Sequence, residues 1–462
     1  MTGKRDVCLP LFKESKIMAR YVPHTQADKE LMLKNIGVKS IDDLYIHVPG
    51  SLKLKKLLNI PKGKSQFEVA KFMEALSKEN TTFPTVLRGA GSYNHYIPAP
   101  VRAISSREEF VTTYTPYQAE VSQGILQSIF EYQSMMCELT GLDISNASVY
   151  DVACAAAEAM IVCCDKKQTI LIAGEVGPEI IKVVKTYAYA CNNKVKLSPS
   201  KDGLIDTDAL IKAINDDTAC VLAANPNYFG LLEDMEKVSA ICKEKNIKFI
   251  YQFNPISAVL MKTPGEVGAD IAIGEGQPLG MPMSFGGPYL GIMTCTESPA
   301  MMRRIPGRIV GQTEEHITGE RKGERGFVLT LQAREQHIRR EKSLSSICSN
   351  QALCAFTSAI YLTCMGPEGL KEVANACTAK AHYLADALTK ITGINLKYKS
   401  EFFHEFVTVS ENVDKILKAL EKQGILGGLK VGKNEILWCA TEVVGKDEMD
   451  KATAIVKEVM KK

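Results

Sequence analysis

Between about residues 121 and 295, short runs that are apolar from end to end alternate with helix-patterned stretches. ILQSIFEYQSMMCELTG and ASVYDVACAAAEAMIVCC read as helices, TILIAGEV as a strand, PEIIKVVKTYAYAC as a helix and KVKLS as a strand. DTDALIKAIND follows as a helix capped by Asp206 or Thr207, then TACVLAANPN as a strand and EDMEKVSAICKEKN as a helix. IKFIYQF, DIAIGEG and YLGIMTC complete the strands. A strand with one wet face alternates apolar and polar residues, whereas one apolar throughout needs cover on both faces. The alternation therefore predicts an α/β domain with a mainly parallel, helix-covered sheet.

The chain is 462 residues long, more than one simple core accommodates. Four stretches are expected. Residues 1–17 read as an N-terminal extension, because Met18 opens MARYVPHTQAD like a second start. Residues 18–85 form a helical arm: a polar cap at 25–28 leads into KELMLKNIG, SIDDLYIHVPG is a second short helix, and FEVAKFMEALSKEN a third. The large α/β domain takes residues 86–335. Residues 336–462 mix helices with the strands FFHEFVTVS and EILWCAT and read as a small α+β domain.

Composition narrows the function. Net charge is +3 and no basic run stands out, so nucleic-acid and membrane-surface roles have no electrostatic support. No stretch reaches the ~20 apolar residues of a membrane span, and MTGKRDVCLPLFKESKI is too polar for a secretory signal. A cytoplasmic protein is expected. The 14 cysteines show no zinc-type spacing and read as reduced, small core residues.

Four segments are candidates for chemistry. Asn146 to Asp151 opens the helix AAAEAM, where free N–H groups and a positive dipole suit an anion, but on these residues alone an ordinary cap by Ser148 or Asp151 is the better reading. ANPNYFGLLED and IYQFNPISAV follow strands, where open α/β sheets hold ligands. The glycine-rich GADIAIGEGQPLGMPMSFGGPYLG follows the second. Finally, GERGFVLTLQAREQHIRREK sets Arg334 and His337 three residues apart on one helical face. Ahead of the sheet, FPTVLRGAGSYNHYIPAPV and YTPYQAEVSQG combine loop-forming Gly and Pro with Tyr and His, more side chain than a plain surface loop needs.

Together these segments resemble the glycine cleavage system P-protein in its alpha-type form. The matching stretches are YVPHT, GAGSYNHYIP, YTPYQAEVSQGILQSIFEYQ, LTGLDISNASVYD, AAAEAM, GADI with GEGQPLG, FGGPYLG, IPGRIVGQT and FVLTLQAREQHIRREK. They run from residue 18 to about 355, and the last third fits in outline. The resemblance implies an aspartate-aminotransferase-like (type I pyridoxal-phosphate transferase) fold. It also implies a heterotetramer of two alpha and two beta chains in which the beta chain carries pyridoxal phosphate on a lysine. That enzyme decarboxylates glycine and passes the aminomethyl group to the lipoyl arm of the H-protein.

Pyridoxal phosphate needs a lysine and an acid against its pyridinium nitrogen. After Ala269-Asp270, where catalytic relatives place the lysine, this chain has Gln277 and Pro278, and Asn254 stands at the acid's strand end. No covalently bound cofactor is therefore expected on this chain. Val152 and Cys154 stand where a smaller residue and a small polar one are expected, and KSLSSICSN also departs from the family's wording. Tyr93, His95, Tyr96, Tyr114 and Tyr117, with Arg334 and His337, are the candidates for lining the route to the sister chain's cofactor; His95 sits in a loop, off any apolar stripe, which predicts an accessible imidazole. Two other classes remain: a structural partner subunit, and a self-sufficient pyridoxal-phosphate aminotransferase or desulfurase, which would need a lysine that the sequence does not place.

Overall fold

A computed structural model describes residues 23–461 except 55, 57, 112, 285 and 315–322. The expected extension 1–17 and the Met18 start lie outside them. The chain divides into two compact units, residues 1–81 and 82–462.

In the first unit, helix α1 (Gln26–Ile36) and helix α2 (Gln66–Ser77) each begin with a reciprocal cap: Thr25 with Asp28, and Ser65 with Glu68. Such pairs satisfy two orphan N–H groups at once. α1 ends at Gly37, left-handed at φ 83°. SIDDLYIHVPG forms a single 3₁₀ turn, Ile41–Tyr45.

The second unit is built on a seven-stranded sheet. Its strands are β1 (Ile144–Ser145), β2 (Thr169–Ala173), β3 (Lys194–Ser198), β4 (Thr218–Asn225), β5 (Lys248–Phe253), β6 (Ile271–Glu275) and β7 (Gly291–Cys295). Their order is β1-β7-β6-β5-β4-β2-β3. The five strands from β3 to β6 are parallel, while β7 runs antiparallel to both its neighbours, β6 and β1. Parallel neighbours need a long crossover, and helices supply it: α5 (Pro178–Ala190), α6 (Thr207–Ala213) and α7 (Met235–Glu244). Among the described residues β6 and β7 are joined without a helix, and β7 returns antiparallel.

Every residue of β4 is buried. Alternate residues feed opposite cores: Val221 and Ala223 join Phe249, Tyr251 and Ala272 on one face, while Cys220 and Leu222 join Ile170, Ile250 and Ile273 on the other. Helices α3 (Gln123–Thr140) and α4 (Val152–Cys163) cover the two faces.

A hairpin, β8 (Ile309–Glu314) with β9 (Arg325–Thr330), follows. A long helical run, α8 (Ala352–Thr389), is broken at Gly366 (φ 62°, ψ 177°) before Pro367, which has no N–H to continue a helix. Beyond it lies a four-stranded sheet of β10 (Asn395–Leu396), β11 (Glu405–Val409), β12 (Leu429–Gly432) and β13 (Glu435–Cys439), in the order β10-β11-β13-β12. Helices α9 (Val413–Glu421) and α10 (Lys446–Met460) pack on it around Trp438 and Phe406. Among the described residues no helix is long and apolar enough to cross a membrane, and no described cysteine is in a disulfide.

Candidate functional site

The strands β4, β5 and β6 end at one edge of the sheet, and a pocket of about 430 Å³ opens there. Open α/β sheets place ligands at this edge. Its walls come from Pro226 to Tyr228 after β4, Gln252 to Pro255 at the end of β5, Glu275 at the end of β6, the head of α4, and the loop Ala90 to Tyr93.

The head of α4 is fixed by main-chain bonds. Val149 exchanges both N–H and C=O bonds with Gly291 of β7 (2.9 and 3.0 Å). Gly291 has no alternative, since a Cβ there would lie 2.4 Å from the Asp151 carbonyl oxygen. Asp151 then caps the helix, its carboxylate accepting from the Cys154 N–H at 2.7 Å. The Val152 N–H donates to Glu275 Oε2 at 3.1 Å. Glu275 Oε1 accepts from the Gln277 and Leu290 N–H groups, both at 3.0 Å. Burial pushes the Glu275 carboxyl up to about 8, against the pull of those three donors.

The rest of the wall is held just as tightly. Gln277 is fully buried. Its Oε1 accepts from the Tyr93 N–H (2.9 Å) and its Nε2 donates to the carbonyls of Tyr93 (2.9 Å) and Met281 (2.8 Å). The Tyr93 hydroxyl donates to Glu405 Oε2 at 2.8 Å, while Glu405 Oε1 accepts from the Ala90 N–H at 2.6 Å. Burial raises the Glu405 carboxyl to about 7. Asn254 Oδ1 accepts from the N–H groups of Ile256 (2.9 Å) and Ser257 (3.2 Å), so its acceptor closes the turn after β5.

These residues do not fit pyridoxal phosphate. Among the described residues no lysine lines the pocket. Two N–H groups of the α4 first turn, which would cradle a phosphate, already donate to Glu275 and Asp151. Asn254 is neutral and its oxygen is engaged.

The sequence candidates separate into three places. Tyr93 alone lines the pocket. The loop position predicts an accessible His95, but the fold buries it at 7% exposure. His95 Nδ1 pairs with Glu442 Oε2 at 2.7 Å, the Tyr96 N–H donates to Glu442 Oε1 at 2.7 Å, and the Cys377 thiol donates to Oε2 at 3.3 Å. Burial raises the Glu442 carboxyl, but the His95 ring and the Tyr96 N–H more than reverse this, leaving it below its ordinary value. The ligand atoms of His95, Cys377 and Glu442 lie within 4.8 Å of one another, yet both carboxylate oxygens already accept from protein donors. His404, wholly buried nearby, has neither ring nitrogen hydrogen-bonded; burial and then the charge of His95 hold it well below its ordinary pKa. The Tyr96 side chain itself is exposed.

Tyr114, Tyr117, Arg334 and His337 lie around the hairpin and the segment after it. The expected helix carrying Arg334 and His337 on one face does not form. A 3₁₀ turn (Gln332–Arg334) and a short helical turn (Gln336–Arg339) replace it, bounded by left-handed Leu331 (φ 51°) and by Arg340 (φ 53°). Arg334 points inward, donating to the carbonyls of Leu331 (3.1 Å), Gly307 (3.0 Å) and Ile305. His337 is half-exposed, its Nδ1 3.5 Å from Glu335 and its ring 5.7 Å from that of Tyr117. Arg308 donates to the Tyr117 hydroxyl at 2.9 Å. Tyr114 is 86% exposed.

Sequence reasoning missed Glu275, Glu405 and Glu442. Only Glu275 carried a signal, an acid between two glycines at the end of an otherwise apolar strand.

Comparison with known proteins places these features. The family model described as "Glycine cleavage system P-protein" matches residues 19–456. The probable glycine dehydrogenase (decarboxylating) subunit 1 of Desulfitobacterium hafniense is 43% identical over 450 residues, covering 95% of this chain and 99% of its own. A crystal structure of glycine decarboxylase (P-protein) of the glycine cleavage system, in inhibitor-bound form, superposes with TM-score 0.88 at 36% identity, over 95% of this chain and 100% of that one. A sphingosine-1-phosphate lyase of Burkholderia pseudomallei, 14% identical, shares the fold with TM-score 0.64 over 90% of this chain and 94% of its own.

Proposed function

This chain belongs to the glycine cleavage system P-protein family, and from that premise we propose that it is the alpha-type subunit of a glycine dehydrogenase (decarboxylating) that works only with a beta-type partner. The family is pyridoxal-phosphate-dependent and the fold is that of the type I pyridoxal-phosphate transferases. In this reading the beta chain carries the cofactor on a lysine, and two alpha and two beta chains assemble in the cytoplasm. The complex decarboxylates glycine and hands the aminomethyl group to the lipoyl arm of the H-protein. When bound, the cofactor serves as the electron sink for loss of the carboxylate.

One observation carries the reading: at the pocket beyond the strand ends the polar groups are already bonded to one another, and no lysine is among its described lining residues. Glu275 and Asp151 engage the first-turn amides of α4, and Gln277 spans the region of the missing lysine. What remains for this chain is to bind, orient and exclude water at the partner's site. Tyr96, Tyr114 and Tyr117, with their side chains exposed, and half-exposed His337 are our candidates for the surface that faces it; buried His95 and inward-bonded Arg334 support it, and Tyr93 lines the strand-end pocket. A purely structural partner is the second reading, favoured by the inward bonding of Arg334 and His95.

Exchange of labelled bicarbonate into the carboxyl group of glycine tests the proposal. The chain alone should show none, and the chain with a beta-type subunit and H-protein should show it. Robust exchange by the purified chain alone overturns the two-subunit reading. Alanine variants of Tyr96 and Tyr114 that assemble normally and turn over normally favour the structural one.

A further inference from the structure

The basic segment after the hairpin closes a second pocket, of about 370 Å³, which shares no lining residue with the pocket at the strand ends. Arg303, Arg304, Arg334, Arg339 and Lys342 line it, and Glu335 is its only carboxylate among the described residues. That carboxylate faces away from the rim cations: its Oε2 lies 3.7 Å from Arg308 Nε and 3.5 Å from His337 Nδ1, neither of which lines the pocket, while its buried Oε1 has no hydrogen-bond partner among the described residues.

The cations are short of counter-charge. Arg334 donates to the carbonyls of Leu331, Gly307 and Ile305. Arg304 donates to those of Val162 (2.9 Å), Ile161 (3.0 Å) and Cys164 (2.7 Å), with exposed Asp165 at 3.5 Å as its one acidic partner among the described residues. Carbonyl dipoles fix where a guanidinium sits without cancelling its unit charge. Arg303, Arg339 and Lys342 are exposed at the rim, and none of them is in an ion pair among the described residues. The backbone that presents this rim bends at Leu331 and Arg340, two non-glycine residues with φ near +50°. Such conformations are strained for residues with a side chain and recur at ligand clamps.

We propose that this pocket is a binding site for a small molecule bearing two or more anionic oxygens, either a polycarboxylate or a phosphorylated compound. Two immobilised guanidiniums form its floor. The guanidinium of Arg339 and the ammonium of Lys342 close over the ligand, and the planar fork of arginine accepts a carboxylate or phosphate through paired bonds. The concave shape favours a small molecule over a protein surface, and the volume falls within the ~300–1,000 Å³ usual for such sites.

Isothermal titration of the full chain at low ionic strength tests this, with citrate and pyrophosphate as separate probes. One saturable site per chain is expected for at least one of them, and which one binds identifies the oxyanion class. Added sodium chloride should weaken it progressively. Arg339→Glu with Lys342→Glu should weaken binding by about tenfold or more, and Lys237→Glu, outside the pocket, should leave it unchanged. If the double reversal fails to fold, Arg339→Gln with Lys342→Gln should give the same loss. The proposal is overturned if neither probe saturates, or if the double variants bind like the parent. It is also overturned if the complex with a beta-type subunit loses a site that the free chain has, because the patch then belongs to the subunit interface.

Discussion

Glu275 Oε2 lies 3.1 Å from the Val152 amide nitrogen, so the first N–H of helix α4 is answered by a carboxyl group from the neighbouring strand end. That strand and that helix meet at the pocket beyond the ends of the parallel strands.

The Glu275 carboxyl is raised to about 8, with burial as the main cause. The folded chain therefore binds a proton that the unfolded chain releases near the ordinary carboxylate pKa. This contribution is fully present below about pH 4.5 and fades, at roughly 1.4 kcal/mol per pH unit, as pH rises toward 8. Relative to Glu275→Gln, the wild type should thus lose stability steadily between about pH 5 and 8. Parallel urea midpoints for the two proteins across that range would contradict the assignment.

His404 shifts the opposite way. Its imidazole is buried without a hydrogen bond and its pKa is held well below the ordinary value. Unfolding lets it take up a proton, so stability is intact above about pH 6.5 and falls below it. His404→Phe should remove that acid sensitivity, since a ring there can still pack on Tyr93 and Phe403. Thermal melts from pH 7 down to 5 measure it, and an unchanged acid slope would count against the buried neutral imidazole.

Glu442→Ala strips acceptors from the His95 ring, the Tyr96 N–H and the Cys377 thiol together. A cost of roughly 2–4 kcal/mol is expected, with the denaturant slope unchanged. His95→Ala should likewise lower the melting temperature, as loss of a buried support does and loss of an accessible catalytic base does not.

Gly230→Ala should be among the most damaging single substitutions. Gly230 sits at φ 83°, and a Cβ there would lie 2.1 Å from the Glu405 carbonyl oxygen. Neither backbone can move aside, because the Gly230 carbonyl also accepts from the Phe403 N–H at 3.0 Å. A loss above about 3 kcal/mol, or failure to fold, is expected in a urea titration.

Tyr114→Ala should leave the isolated chain within about 0.5 kcal/mol of the parent, since the side chain is 86% exposed and among the described residues bonds only Ser349. In the complex with a beta-type subunit it should reduce assembly or turnover. Normal assembly and normal turnover would remove Tyr114 from the partner-facing surface.

The sheet was legible because its strands are apolar on both faces, a pattern few other folds require, as β4 illustrates. The antiparallel return of β7 was not, since direction depends on the connection and not on the strand's own residues. Asp206 and Asp151 were readable as caps because capping is local. The Arg334 and His337 face failed for the same reason in reverse: helical spacing assumes a continuous helix, and Leu331 and Arg340 interrupt it with conformations that their side chains do not announce. The partners of His95 were hidden in the chain's length, for Glu442 lies 347 residues away. No local pattern records such a pairing.

The side chain of Gln277 gives the pocket a history that is hard to undo. Its amide oxygen takes the Tyr93 N–H while its nitrogen serves two carbonyls, so one residue holds three points of main chain. Lysine has donors but no acceptor, and an ammonium buried there would leave the Tyr93 N–H stranded while lacking a counter-ion of its own. Restoring a lysine at this position alone would loosen the wall before it restored any chemistry. A lysine could be accommodated here only with several coordinated changes in the wall, because the same side chain now holds Tyr93 and Met281 in place.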